Sequence, residues 1–232
     1  MLTGFGLGTF ALQALADSLT QRGHHTQFLP LPSDGDLAGY VTHTIANHGM
    51  GSADVVLGWS LGGQIASLLA QHSHSRLVTL ASNPKFVADH SWPHGMDAAV
   101  FQRFQQQQGH NPSRNLQQFA ALAGLLDVAS DARSHIKALK QHLPMQTPAQ
   151  IAQDQLHLTL LAQLDTRPLL VDLSVPTLHV FAQNDALIPC SITQNPALPP
   201  SAQSCMIAGA SHLLPLTHTA ACVAQIEAFL QV

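Results

Sequence analysis

Gly58-Trp59-Ser60-Leu61-Gly62 forms the pattern G-x-S-x-G. Such a match arises by chance in about one chain in ten, so its surroundings decide its meaning. A β-branched and apolar run, VVLGW (55–59), precedes it, and helical periodicity follows in LGGQIASLLAQH (61–72). A serine at the apex of a sharp strand-to-helix turn presents its hydroxyl above a sheet, and flanking glycines keep side chains out of that turn. The following helix N-terminus puts free N–H groups and a positive dipole end behind the serine. Such a residue can act as a nucleophile on a carbonyl carbon, with the Leu61 N–H facing the oxyanion. The plainer alternative, a helix N-cap, needs no flanking glycines.

A serine nucleophile needs a base and an acid, which in this arrangement follow it as Asp or Glu and then His, on loops after late strands. Among fifteen histidines, His212 fits best. It follows SCMIAGA in the turn G-A-S-H, about one helix before the C-terminus. His179 falls inside a strand, His218 lies close to the last helix, and His135, His142 and His157 belong to a helical stretch. Asp185, in Q-N-D-A-L-I-P after the strand TLHVFAQ, is placed to orient the imidazole and stabilise its protonated form. Asp172 precedes that strand and would sit at the wrong end of a parallel sheet. Asp165 reads as a helix-surface charge.

These residues require a scaffold, and the periodicity supplies one. Helices are expected over 9–22, 37–48, 61–72 and 219–231, with strands at 55–59, 76–82, 176–183 and 204–210. TQFLPLP (26–32) reads as a short extended segment. Residues 85–172 are helical and strand-poor, including a helix from Ser130 to His142 with Ser130 as its N-cap. Alternating strands and helices imply an α/β architecture with a mostly parallel sheet, interrupted by a helical insertion. The expected division is a core of residues 1–84 and 173–232 and a helical cap of residues 85–172.

Composition narrows the classes. The 232 residues suffice for one well-filled core with a lid, and charged residues are only 9%. The net charge of −4 disfavours a nucleic-acid partner. No apolar run is long enough to span a membrane, and no signal peptide is visible. The odd count of three cysteines, none in a C-x-x-C pair, reads as reduced thiols in a cytoplasmic protein. Seven of nine basic residues fall between positions 85 and 167, against six acids there, giving that stretch +1 and the remainder −5.

The motifs G-W-S-L-G-G-Q-I-A-S, N-D-A-L-I-P and G-A-S-H resemble those of the α/β-hydrolase fold. Further segments are similar to the pimeloyl-acyl-carrier-protein methyl ester esterases of biotin synthesis: L-A-S-N-P-K-F (80–86), W-P (92–93), F-Q-R-F-Q-Q-Q (101–107), N-L-Q-Q-F-A-A-L (115–122), K-A-L-K (137–140) and L-P-M (143–145). The resemblance covers nearly the whole chain from Gly4 onward. It implies a serine esterase with Ser60, Asp185 and His212 as catalytic residues and no metal or organic cofactor. Thr3-Gly4-Phe5-Gly6 matches the family's H-G-W-G loop, so Phe5 would give the second oxyanion N–H beside Leu61, with Thr3 replacing the loop histidine. Only Met1 and Leu2 precede this loop, so the sheet is expected to be shortened there and the loop weakly anchored. The resemblance also implies acyl contacts from Phe119 and the stretch Ala120, Ala121, Leu122 and Ala123. It implies docking of an acidic acyl-carrier protein on Arg114, Arg133 and Lys137, with Gln118 standing where the family has an arginine. A monomer is expected.

Two other functions stay open at this level: a broader carboxylesterase or thioesterase on short or medium acyl chains, and a non-catalytic binding protein on a hydrolase fold. A solvated helix face is the bland reading of the three basic residues. A dinucleotide loop is excluded for GFGLG, because the third glycine comes one residue early and no strand precedes it.

Overall fold

The computed structural model describes residues 1–194 and 202–231. Four strands, β1 (Val55–Trp59), β2 (Arg76–Leu80), β3 (Thr177–Ala182) and β4 (Gln203–Ile207), form one sheet in the order β1-β2-β3-β4, with every pairing parallel. The first three strands are almost wholly buried, as the continuous apolar runs require when helices cover both faces of a sheet. The helices α1 (Phe10–Gln21), α2 (Leu37–His48) and α3 (Leu61–Ser73) arise where the periodicity places them. Asp36 caps α2 by accepting from the Gly39 N–H at 2.9 Å, and Gly49 ends it in the left-handed region at φ 57°.

Between β2 and β3 run five helices: α4 (Ala98–His110), α5 (Pro112–Ala123), α6 (Ala132–Gln141), α7 (Pro148–Gln163) and α8 (Arg167–Asp172). Lys85 bridges Asp165, and the Thr166 N–H donates to the Pro84 carbonyl at 2.8 Å, so the chain leaves and re-enters the core at one neck. The helix expected from Ser130 begins at Ala132, and its flanking residue Asp131 makes no side-chain cap. The short α9 (Leu214–Thr217) and α10 (Thr219–Leu230) close the fold against α1. Among the described residues no helix is long and apolar enough to cross a membrane.

The loop after Leu2 is better anchored than the few preceding residues suggest. Leu2 bridges Gly58 in parallel register: its N–H donates to the Leu57 carbonyl at 2.8 Å and its carbonyl accepts from the Trp59 N–H at 3.0 Å. On the other side, the Met1 carbonyl accepts from the Leu29 N–H at 2.9 Å. The first two residues thus extend the sheet beside β1, and the extended segment 26–32 supplies their outer hydrogen bonds.

Candidate active site

Ser60 sits where β1 gives way to α3, with φ 57° and ψ −123°. A non-glycine residue in that conformation costs on the order of 1–3 kcal/mol and persists only where its surroundings over-determine it. Here they do. The Ser60 N–H donates to the Leu80 carbonyl at 3.0 Å, and its carbonyl accepts from the Gly63 N–H at 2.9 Å and from Ser82 Oγ at 2.8 Å. The glycines permit close approach: a Cβ at Gly58 would lie 2.0 Å from the Gly62 carbonyl oxygen, and one at Gly62 would lie 2.5 Å from the carbonyl oxygens of Leu2 and Thr3. The Ser60 side chain makes no capping hydrogen bond, so the N-cap alternative has no support in its geometry.

Because all four strands are parallel, the loops that follow them gather at one end of the sheet. Asp185 lies three residues beyond β3 and His212 five beyond β4. His212 Nδ1 is 2.8 Å from Asp185 Oδ2, and the two side chains are only 1% and 2% exposed. Asp185 is itself held by its other oxygen, Oδ1, which accepts from the N–H groups of Leu187 at 2.8 Å and Ile188 at 3.0 Å. With Nδ1 donating to the carboxylate, Nε2 carries the lone pair, and this buried nitrogen has no hydrogen-bond partner among the described residues. The Trp59 indole N–H donates to the His212 carbonyl at 2.9 Å, and the two rings lie 5.5 Å apart, which ties the histidine turn to the residue beside Ser60. The pair is therefore closed on its acid side, while Ser60 Oγ and His212 Nε2 make no hydrogen bond to each other among the described residues.

His179 and His218 sit elsewhere. His179 is buried in β3 with Nδ1 2.6 Å from Thr79 Oγ1, and burial pushes its imidazole down to about 4. His218 neighbours Asp127 and Thr217. Asp172 ends α8, before β3 begins.

The loop of residues 3–6 lies directly on the nucleophile turn. A Cβ at Gly4 would come 3.1 Å from the Ser60 Cβ, so that glycine serves close approach, whereas Gly6 supplies a left-handed turn at φ 67°. Neither the Phe5 nor the Leu61 N–H makes a hydrogen bond among the described residues. The buried Phe5 ring meets Phe104 of α4 and Phe119 of α5 edge-on, at centroid distances of 5.8 and 5.5 Å, and those two rings lie 5.3 Å apart. Phe104 was not singled out by its sequence; its spacing within a glutamine-rich helix gave no sign that it closes this cluster.

The contiguous stretch 119–123 divides in two on the helix. Phe119, Ala120 and Ala123 are buried together with Leu116, while Ala121 and Leu122 face outward. Ala121 and Leu122, of which acyl contacts are expected, thus stand on the outer side of the helix, where its 3.6-residue period turns them. The basic residues also divide. Arg133 and Lys137 border one groove with Lys140 and Gln117, whereas Arg114 borders another with Gln107, His110 and Gln118. A cavity of about 460 Å³ beside Met1, Val55 and Leu230 lies at the opposite end of the strands and has no part in this site.

The chain matches the model of the alpha/beta hydrolase family over residues 2–225. It is 32% identical over 248 residues to the pimeloyl-acyl-carrier-protein methyl ester esterase of Xylella fastidiosa (strain 9a5c), covering 99% of this chain and 93% of that protein. The protein of the same name from Aeromonas hydrophila subsp. hydrophila is 31% identical over 241 residues, with the same coverage. Among solved structures, a bromoperoxidase from Bacillus anthracis superposes with a TM-score of 0.77 at 16% identity, covering 100% of this chain and 91% of that one, which is a likeness of fold.

Proposed function

The chain belongs to the alpha/beta hydrolase family, and from that membership we propose that it is a serine carboxylesterase that hydrolyses the methyl ester of a pimeloyl-acyl-carrier protein. The observation that carries the chemistry is the buried Asp185–His212 pair, with His212 Nε2 unpartnered and the histidine turn tied to the Ser60 turn through Trp59. The full-length similarity to the biotin-pathway esterases of Xylella and Aeromonas supports the substrate.

Ser60 Oγ attacks the ester carbonyl carbon as His212 Nε2 takes its proton, and Asp185 stabilises the resulting imidazolium. The oxyanion forms against the N–H groups of Phe5 and Leu61, each such donor being worth roughly 3–4 kcal/mol in the transition state. Nε2 returns the proton to the departing methoxide, so methanol leaves. Water, deprotonated by the same nitrogen, then attacks the acyl-serine, releasing the acid and restoring Ser60. Residues 85–172 act as the cap. Phe119, with Phe5 and Phe104, lines the acyl path, and the groove bordered by Arg133 and Lys137 receives the acidic carrier. Arg114, on its separate groove, gives the carrier a further basic contact.

Mass spectrometry of a methyl-pimeloyl carrier protein tests this reading. Enzyme should remove one methyl group and Ser60→Ala should not. A carrier that keeps its ester through many equivalents of enzyme would refute the assignment.

A further inference from the structure

Asp127 has no role in the chemistry above, yet it is the most heavily bonded carboxylate near the histidine turn. It lies in the connection between α5 and α6, and its side chain is fully out of solvent. Oδ2 accepts from the Ser211 N–H at 3.1 Å, Ser211 Oγ at 2.6 Å and Thr217 Oγ1 at 2.8 Å, while Oδ1 accepts from the Ala129 N–H at 3.0 Å. Burial pushes its carboxyl upward, but the bonds from Ser211, Ala129 and Thr217 outweigh that and hold it below the usual carboxylate range. Two of the four bonds come from Ser211, the residue before His212, and a third from the helix that follows it.

The same connection grips the other turn. The Val128 N–H donates to the Gly209 carbonyl at 3.1 Å, and the Leu126 carbonyl accepts from Asn184 Nδ2 at 2.9 Å, one residue before Asp185. Leu126 holds φ 66° to make that contact, a conformation that bulky residues avoid. The connection from the helical insertion is thus stitched to both the acid turn and the histidine turn.

We propose that Asp127 is a positioning residue: through its bonds to Ser211 and Thr217 it sets the backbone of the histidine turn, and so the aim of His212 Nε2 at Ser60. A buried anion with four donors resists displacement, since moving the turn would break charge-assisted bonds that no water replaces. The inserted helices would then contribute to the reaction geometry as well as to covering the substrate.

The kinetic part of the test rests on the esterase reading, so a measurement independent of turnover accompanies it. Asp127→Asn keeps the shape but places an NH₂ against a hydroxyl or an N–H. Hydrolysis of p-nitrophenyl acetate should show kcat reduced roughly 10- to 100-fold, the loss typical of a misplaced reacting group, with KM changed by less than about threefold. Ser211→Ala should lower kcat in the same direction, and the double variant should be no worse than Asp127→Asn alone, because the Ser211 Oγ bond that Ser211→Ala removes is among those Asp127→Asn already disturbs. A kcat within about twofold of wild type for Asp127→Asn, or losses that multiply in the double variant, would overturn the proposal. If Asp127→Asn does not fold, Ser211→Ala decides alone, and unchanged kcat there overturns it. If the wild-type protein hydrolyses no ester, the esterase reading falls and proton NMR decides: the carboxylate-bonded His212 Nδ1–H resonance should shift or broaden in Asp127→Asn, and an unaltered resonance overturns the proposal.

Discussion

Replacing Asp185 by asparagine should invert the tautomer of His212, and the structure says which way the new amide must point. Asp185 Oδ1 accepts two backbone N–H bonds, from Leu187 and Ile188, while Oδ2 accepts from His212 Nδ1. Asparagine has one oxygen to offer. Turning its NH₂ toward Leu187 and Ile188 would strand two backbone donors, at about 1–3 kcal/mol each. Turning the NH₂ toward His212 costs one bond at most, and that is recovered if the ring moves its proton to Nε2. The amide therefore keeps its oxygen on the backbone and presents a donor to Nδ1. The protonated Nε2 can no longer accept from Ser60. In Ser-His-Asp triads this exchange costs about 10⁴ in kcat, equivalent to about 5 kcal/mol of barrier. The assay is kcat and KM on p-nitrophenyl acetate, with the second-order rate of fluorophosphonate labelling as a measure of the serine alone. Both rates should fall together while KM holds and thermal unfolding moves by only a few degrees. Activity within tenfold of wild type would show that the backbone donors do not dictate the amide, or that His212 is not the base.

Three further outcomes follow from the same contacts. Gly62→Ala puts a methyl group 2.5 Å from the carbonyl oxygens of Leu2 and Thr3, so urea unfolding should show a loss of about 1–3 kcal/mol and hydrolysis should drop on the order of 100-fold as the Phe5 loop lifts. His179 is buried neutral and titrates at about 4, whereas in the unfolded chain it titrates near ~6.5. The unfolded state therefore binds the proton first, and stability should fall by about 3 kcal/mol as pH drops from about 6.5 to about 4. In His179→Gln that component should vanish from urea midpoints measured across the range; an identical pH slope would contradict it. Arg133→Glu combined with Lys137→Glu should raise KM for the carrier-bound ester severalfold, mostly at low salt, and leave p-nitrophenyl acetate untouched; equal effects on both substrates would remove the groove from carrier binding.

Features that lie close along the chain were legible in the residues themselves. β1, Ser60 and α3 are consecutive, and the steric demand of the turn shows directly as Gly58 and Gly62. The parallel sheet followed from the alternation of strand and helix periods, and parallel strands oblige the loops holding Asp185 and His212 to share the end that holds Ser60. The motif resemblance extended this to Phe5 and the helical insertion, but it carried over residues 119–123 as a block. Only the folded helix separates buried Phe119, Ala120 and Ala123 from exposed Ala121 and Leu122. Tertiary structure alone decided the rest. Leu2 anchors the Phe5 loop by pairing with Gly58, Trp59 tethers His212 from 153 residues away, and Asp127 meets Ser211 across 84. Side chains that remote leave no spacing signature, because their meeting is set by how the helical insertion packs back on the sheet and not by any local preference of the backbone.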